Sequence, residues 1–276
     1  MKLPRPTRSI PKVTGFACAL LFGATAITSV ASSASVSTVN DSSRLDAAAA
    51  GFKPYLLDRV TMCLAAVIRM RDRVAAHDLA AAQAAWLAAR SGWEGSEVIT
   101  NEFFPNLDRE IDAWPDARTG FHSIEARLFG AHDIRVLPAA EQLVANLTDF
   151  KQQLQAVHLT AQGLLNGSAR LLFEIGESKA EGGESPFSGN SLNEMRDNID
   201  SVNQAFQRVF ASAAGKRNPT LAKQFAADLK TMREVLSVPT LQDLDQVRLR
   251  DLSETLVSDL VEVGRACGLD SPRLGN

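Results

Sequence analysis

The sequence is poor in the residues that common hydrolytic and nucleotide-binding sites require. Only four of its 276 residues are histidine and three are cysteine. It contains no Gly-x-Ser-x-Gly turn, no phosphate-binding loop and no His-Glu-x-x-His pair, which argues against a serine hydrolase, a nucleotide hydrolase and a zincin-type peptidase. The inverse zincin pattern also fails, because Ala126 stands where its second histidine would be.

The amino terminus has the composition of an export signal. Residues 1–12 carry four basic side chains and no acidic one, and residues 13–30 form an almost uncharged apolar run that ends in small residues. We therefore predict a secretory signal peptide over residues 1–34, cleaved near Ala31 or Ala34. The protein would then be exported to the periplasm or cell envelope.

Two other interpretations of this segment differ in strength. An uncleaved membrane anchor is the alternative, because the apolar run approaches the length of a transmembrane helix. A lipid anchor at Cys18 is disfavoured, because Phe16 places a bulky side chain where a lipobox needs a small one. Without residues 1–34 the chain has 32 acidic against 25 basic side chains, a balance that suits a cation binder and not a nucleic-acid binder.

The cleaved chain would retain two cysteines, Cys63 and Cys267. In an oxidising compartment they could form a disulfide that joins the first helix to the last. Two buried free thiols are an equally good interpretation. The sequence leaves both open.

Apolar residues recur at three- and four-residue intervals along most of the chain, and the alternation typical of strands is absent. The sequence therefore predicts an all-α protein of seven or eight helices. That number exceeds one four-helix bundle and favours two packed bundles. We expect a flexible tether at residues 35–44, a first bundle at residues 45–136 and a second at residues 137–276.

One short segment combines a histidine and a carboxylate at metal-ligand spacing. His122 and Glu125 lie three residues apart in a predicted helix from Thr119 to Gly130, which places both side chains on one face. By itself, the pair also fits a partly buried histidine with an ordinary ion-pairing glutamate.

A second acidic pair precedes this helix. Glu94 and Glu97 also lie three residues apart, which fits either a solvated acidic face or part of a carboxylate–histidine site built from facing helices. Asp108 and Asp112, one helical turn apart, could each add an oxygen ligand. One nitrogen and several oxygens suit iron or manganese, tolerate zinc or calcium, and disfavour copper(I).

Taken in order, these segments resemble the imelysin-like peptidase family, which includes the helical domain of periplasmic iron-uptake proteins of the EfeO type. The resemblance covers about residues 45–265. The matching segments are Trp86-Leu87-Ala88-Ala89-Arg90, Glu94-x-x-Glu97, Leu107-Asp108-x-x-Ile111-Asp112, Gly120-Phe121-His122-x-x-Glu125, Leu171-Leu172-Phe173-Glu174-Ile175, Ser178-Lys179, Gly183-Glu184 and Asn198-Ile199.

The resemblance implies two pseudo-symmetric four-helix bundles in a single-domain form, without the cupredoxin-like domain of many EfeO proteins. It also implies a metal site formed by the acidic pair, the His-x-x-Glu pair and further acids. Carried over by position, the ligands are His122, Glu125, Glu94, Glu97, Asp112 and Glu184.

Three functions follow as hypotheses. The first is an exported metal-binding protein, with iron as the preferred ion, that serves an iron-uptake system. Its partners would be the metal ion and an inner-membrane iron permease or another envelope protein, with no nucleic acid. The second is a metal-dependent peptidase of the imelysin type. The third is a helical envelope scaffold or polysaccharide-binding protein that needs no metal.

Overall fold

The computed structural model of the chain describes residues 31–113, 118–182 and 184–274. These residues form helices and short connections without a strand, so the predicted all-α class is confirmed. The helices are α1 (Ala31–Ala75), α2 (Leu79–Glu94), α3 (Thr100–Phe103), α4 (Pro105–Asp112), α5 (Gly120–Glu125), α6 (Leu137–Ala156), α7 (Ala161–Gly176), α8 (Ser191–Ala205), α9 (Ala211–Arg217), α10 (Pro219–Val235) and α11 (Gln246–Cys267).

Short irregular turns extend several of these helices. A π-helical turn, Ala126–Gly130, continues α5, and another, Phe206–Phe210, joins α8 to α9. Single 3₁₀ turns occur at Glu97–Ile99, Lys179–Glu181 and Leu241–Asp243.

Side-chain caps fix where most of the long helices begin. The Asp78 carboxylate accepts a hydrogen bond from the backbone of the first turn of α2, and Thr160, Asn218 and Asp245 do the same for α7, α10 and α11. Such caps satisfy amide groups that have no partner within the helix. The Asp245 cap explains why α11 begins at Gln246. The apolar periodicity of the sequence predicts an earlier start, at Leu241.

The second helix is shorter than its periodicity predicts. We expected it to reach Thr100, but it ends at Glu94 and is followed by Gly95 and a 3₁₀ turn. Gly95 lies against the Arg59 side chain of α1, where an added Cβ would come within 2.7 Å of Cδ. The break separates Glu94 from Glu97, so the two carboxylates belong to different turns.

The amino-terminal predictions are only partly covered by the structure. Residues 1–30, most of the predicted signal peptide, lie outside the described residues, and cleavage near Ala31 or Ala34 stays a prediction. Residues 35–44, expected to be a flexible tether, are helical because α1 already begins at Ala31. None of the described helices is long and apolar enough to cross a membrane.

The helices form two groups that meet along α7 and α8. In the first group, α1 packs on α2 and α6, and α6 also contacts α4 and α5; in the second, α11 packs on α7 and α10. Helix α8 contacts both α2 and α7. This arrangement is consistent with two packed bundles. The division at residue 137 stays a prediction, but α6 packs with the amino-terminal group.

Helices α1 and α2 pack extensively against each other, and α2 presents small residues to α1. Ala82, Ala85 and Ala89 are buried there, as their spacing predicts. Cys63 of α1 lies opposite Gly92 of α2. Both Cys63 and Cys267 are buried free thiols, so the structure supports the second interpretation of the cysteines.

Replacing Gly92 by alanine should separate α1 from α2. An added Cβ would lie 2.6 Å from the Cys63 backbone nitrogen and 2.8 Å from the Arg59 carbonyl oxygen. We expect the free energy of unfolding, measured with urea, to fall by about 1–3 kcal/mol. The matched control is Gly51→Ala in α1, where nothing lies within 4 Å of the new Cβ. That change should stabilise the protein by about 0.5–1 kcal/mol, and equal losses in both variants would contradict the packing.

Candidate metal centre

Charged and polar side chains from five segments meet in the interior where the two helix groups join. Nearly all of them are buried, and a buried charge without a partner is strongly destabilising. We call this set the buried polar cluster. Its members are Arg90, Glu94 and Glu97 on and after α2, Asp112 at the end of α4, His122 and Glu125 of α5, Lys179 and Glu184 after α7, and Glu194 and Asn198 of α8.

The Arg90 guanidinium is fully buried and faces three carboxylates. Its Nε donates to Glu194 Oε1 at 2.8 Å, and its two terminal nitrogens pair with Glu94 and Asp112. The guanidinium carbon also lies 5.1 Å from the centre of the Phe121 ring. The planar guanidinium suits this arrangement because its donors diverge in fixed directions. Arg90 therefore joins α2 to the last residue of α4 and to the first turn of α8.

The Lys179 ammonium is the second buried cation of the cluster. Its Nζ lies 3.0 Å from Glu94 Oε2 and 3.1 Å from Glu97 Oε2. It also donates to Asn198 Oδ1 at 2.8 Å and pairs with Glu184 at 2.9 Å. Lys179 thus holds the loop after α7 against the end of α2.

The His122 imidazole lies between two carboxylates. Its Nε2 is 3.2 Å from Asp112 Oδ1, and its Nδ1 is 3.6 Å from Glu125 Oε2. The other Glu125 oxygen accepts hydrogen bonds from the backbone N–H of Phe187 at 3.2 Å and of Ser188 at 2.8 Å, and from the Ser188 hydroxyl at 2.8 Å. The loop after α7 therefore fixes Glu125, and Glu125 in turn faces one nitrogen of the ring.

Three of these side chains form a possible metal-ligand set. One ligand atom each from Asp112, His122 and Glu184 lies within 4.8 Å of the other two, and no other such group occurs among the described residues. The donors are one imidazole nitrogen and two carboxylate oxygens, a set that suits iron, manganese or zinc. Because the three residues come from separate segments, only the folded chain brings them together.

The neighbouring charges shift the pKa values of this set. Burial raises the pKa of Asp112, but Arg90 and His122 outweigh it and hold the pKa well below its usual range. Burial lowers the pKa of His122, but Asp112 outweighs it and raises the pKa to about 9. Burial raises the pKa of Glu184 to about 7 although Lys179 opposes the shift. A cation at this point would favour the ionised forms of both carboxyl groups.

The pKa values of Glu94 and Glu97 are shifted in opposite directions. Burial raises the pKa of Glu94 even though Arg90 and Lys179 lie beside it. Burial also raises the pKa of Glu97, but Lys179 and Arg170 overcome this and hold it at about 2. Arg170 pairs with Glu97 Oε1 at 3.3 Å. Both carboxylates of the pair are therefore engaged by side-chain cations.

A cavity of about 440 Å³ is lined by two of the three candidate ligands, Asp112 and Glu184. Asp108 lines the same cavity but does not belong to the three-residue set. Burial raises its pKa to about 6, with Arg170 opposing the shift. The cavity gives a small ion or ligand a place to lie beside Asp112 and Glu184.

The structure places all six residues predicted as ligands in the buried polar cluster, but in different surroundings. Asp112 and Glu184 can each place an oxygen within 4.8 Å of a His122 nitrogen and of each other. Glu94 and Glu97 pair with cations, and Glu125 is held by the loop. Whether any of the six binds a metal stays a prediction.

Sequence reasoning did not identify the charged and polar partners of the six predicted ligands. Arg90, Lys179 and Asn198 appeared in the matching segments without a role, and Glu194 was missed. A signal for it exists: Asn190, Glu194 and Asn198 recur every four residues on the buried side of α8. Polar residues at helical spacing on an apolar face indicate an internal polar network.

The imelysin family model matches residues 48–266 of the sequence. The chain belongs to the imelysin family. This match spans every element of the buried polar cluster, and it confirms the family that the ordered motifs indicated.

Individual relatives agree with this membership. The chain is 26% identical over 246 residues to the iron uptake system component EfeO of Escherichia coli strain K12 and equally to that of Shigella flexneri, matching 82% of this chain and 65% of each relative. It thus spans just under two thirds of these relatives. A crystal structure assigned as an iron-regulated protein A precursor from Parabacteroides distasonis has a TM-score of 0.67 at 17% identity, covering 82% of this chain and 95% of that one, which shows a shared fold.

Replacing Lys179 by methionine keeps a long side chain but removes the charge that three carboxylates face. We expect the free energy of unfolding at pH 7 to fall by about 3–5 kcal/mol, because buried acids lose their cation. Part of the native stabilisation comes from Glu97, whose pKa is lowered from 4.5 to about 2. That part is present above pH 4.5 and is lost as the pH falls through 2, so the difference between the two proteins should shrink across this window in urea unfolding.

The control for this change is Lys230→Met. Lys230 is exposed and pairs with Glu234 one helical turn away at 3.3 Å. Its loss should change the free energy of unfolding by less than about 0.5 kcal/mol. A Lys179 effect as small as this, or one that does not vary with pH, would contradict the assigned pairing.

Proposed function

We propose that this protein is an exported iron-binding component of an iron-uptake system. The observation that carries the proposal is the meeting of Asp112, His122 and Glu184 within 4.8 Å beside a cavity. Two consecutive helices and the distant loop after α7 supply nitrogen and oxygen donors there. In this proposal the iron is cargo and not a reagent.

The charge balance of the cluster supports a cation as the ligand. Six carboxyl groups, from Glu94, Glu97, Asp112, Glu125, Glu184 and Glu194, lie around the side chains of Arg90, Lys179, His122 and Arg170. Acids therefore outnumber basic groups. Burial raises the pKa of Glu184, and the nearby carboxylates of Glu97 and Glu194 raise it further. A bound divalent ion would offset the surplus negative charge.

The contacts suggest a different role for each predicted ligand. Asp112, His122 and Glu184 would bind the ion directly, with His122 using Nε2, the nitrogen that faces Asp112. Glu125 faces the opposite ring nitrogen and would set the orientation of the imidazole, as outer carboxylates do around metal-bound histidines. Glu94 and Glu97 would hold Lys179 in place.

The names of the relatives support iron among the possible ions. The EfeO proteins that the chain matches are components of iron uptake systems. By extension, this chain would act in the periplasm or cell envelope and pass iron to an inner-membrane permease or another envelope protein. Zinc, manganese and calcium are alternatives that the donor set also accommodates.

Metal titration tests the proposal directly. After chelator treatment, the full chain should bind about one iron per molecule at micromolar concentration, measured by elemental analysis and calorimetry. His122→Gln and Glu184→Gln should each lower the affinity at least tenfold, and Glu125→Gln should lower it about 10–100-fold as an outer partner. Circular dichroism checks that each variant keeps its helices.

Asp108→Asn is the matched control, because Asp108 lines the same cavity but lies outside the three-residue set. It should bind iron as the wild type does. Equal losses in Asp108→Asn and His122→Gln would contradict the assigned ligands. If no ion binds to the wild type, the helical scaffold that needs no metal replaces this proposal.

A metal-dependent peptidase is the second candidate function, and the cavity favours it. Catalytic zinc sites have three protein ligands beside an open space and keep one coordination position for water or substrate. The chain also belongs to a family named for a peptidase. This function requires cleavage that depends on the metal.

The peptidase function predicts that zinc-loaded protein cleaves members of a mixed peptide library. Cleavage should stop on chelation and fall at least tenfold in His122→Gln, because the metal would be lost. Mass spectrometry of the library measures the products. Intact peptides after incubation with the loaded wild type would remove this candidate and leave iron binding.

A further inference from the structure

The ammonium group of Lys179 is surrounded by four side-chain oxygen atoms. Its Nζ donates to Glu94 Oε2 at 3.0 Å, to Glu97 Oε2 at 3.1 Å and to Asn198 Oδ1 at 2.8 Å. Glu184 Oε2 is the fourth oxygen, 2.9 Å from Nζ. The lysine side chain is only 2% exposed. Its charge is therefore stabilised by these four oxygens and not by bulk water.

The fourth oxygen differs from the other three in its hydrogen bonding. An ammonium group has three donor hydrogens, and the three hydrogen bonds to Glu94, Glu97 and Asn198 use all of them. Glu184 Oε2 is attracted by the charge but accepts no hydrogen bond from the described residues, although the atom is buried. Native structures leave few buried acceptors in this condition. The Glu184 carboxylate therefore keeps lone pairs that a second cation can use.

Both carboxylates of the proposed metal-ligand set already lie beside a cation of the protein. Glu184 faces Lys179, and Asp112 pairs with the buried guanidinium of Arg90. An ion bound by these two carboxylates would therefore share each of them with a fixed positive charge. Like charges repel more strongly in a buried site than in water, because the effective dielectric constant is lower.

The effect of one charge on a carboxyl group gives the size of this repulsion. A charge within about 4–6 Å changes the proton affinity of a carboxylate by about ten- to thousandfold. A divalent ion carries twice the charge of a proton, so a neighbouring ammonium should weaken its binding at least as strongly. A protein that carries an ion must also release it. A fixed cation beside the ligands would make the binding reversible.

We propose that Lys179 is an internal cation that competes with iron for Glu184 and thereby sets the affinity at which the metal centre holds its cargo. The inference rests on the proposed function, because it requires an ion at the three-residue set. On binding, the ion would use the Glu184 lone pairs, and the ammonium would keep its three hydrogen bonds. Lys179 is then not a ligand but a residue that weakens binding and speeds release.

The iron affinity of neutral Lys179 variants tests the inference. Lys179→Met and Lys179→Gln should each bind iron at least tenfold more tightly than the wild type, because the repulsion is removed and the candidate ligands remain. Titration of the full chain against a competing chelator measures the affinity. Stopped-flow transfer of iron to the same chelator measures the release rate, which should fall by a similar factor. If Lys179 only held Glu184 in place, both variants would bind iron more weakly, which would overturn the inference.

The matched control is Arg109→Gln, which removes one positive charge from the same cavity. Arg109 is exposed and donates to Asn106 Oδ1 at 2.6 Å. Among the described residues no ion pair joins it to a candidate ligand. Its loss should change the iron affinity by less than about threefold, because solvent screens an exposed charge. Equal tightening in Arg109→Gln and Lys179→Met would assign the effect to the net charge of the cavity and overturn the inference.

Thermal unfolding with and without iron provides a second measurement, since Lys179→Met is expected to be less stable than the wild type. A bound ion would replace the positive charge that the carboxylates lost, so iron should raise the melting temperature more in this variant than in the wild type. If both variants stay unfolded in excess iron, the ion does not replace the ammonium and the inference is wrong. If the wild type binds no iron, the proposed function itself fails, and the inference fails with it.

Discussion

The buried guanidinium of Arg90 is the interaction on which the rest of the centre depends. It is fully enclosed and contacts carboxylates from its own helix, from the end of α4 and from α8. An arginine cannot escape this environment by losing its proton, since its pKa is far above neutrality. The carboxylates of Glu94, Asp112 and Glu194 must therefore lie beside the guanidinium. This requires the end of α4 and the first turn of α8 to lie close to Arg90.

From this pairing the position of His122 follows. Asp112, one partner of Arg90, also faces the imidazole at 3.2 Å and accepts a hydrogen bond from Trp93 Nε1 at 2.5 Å. A carboxylate held from two sides is a preorganised acceptor, because few of its orientations remain to be lost on binding. The candidate ligands are thus arranged before any ion arrives.

The loop after α7 completes the centre from the other side. Lys179 and Glu184 enter the cluster from it, the Ser185 hydroxyl donates to Glu194 at 2.7 Å, and Ser188 holds Glu125. The Phe187 ring packs against Gly130, where an added Cβ would come within 2.7 Å. The glycine-, serine- and glutamate-rich loop after α7 is therefore fixed by specific contacts. It supplies side chains to the buried polar cluster as well as connecting α7 to α8.

The sequence by itself determined the all-α class and the family, because helical periodicity is local and the Gly-x-His-x-x-Glu motif stands in a recognisable order. It also selected the six acidic and histidine residues that the fold gathers. Helix ends were less predictable from the sequence: α2 stops at Glu94, before Gly95, which lies against Arg59 of another helix. Only the tertiary structure decided which carboxylates face His122 and which face Arg90 or Lys179. That division arises between segments distant in sequence, and a carboxylate's ionisation and partners are set by its neighbours in space and its burial.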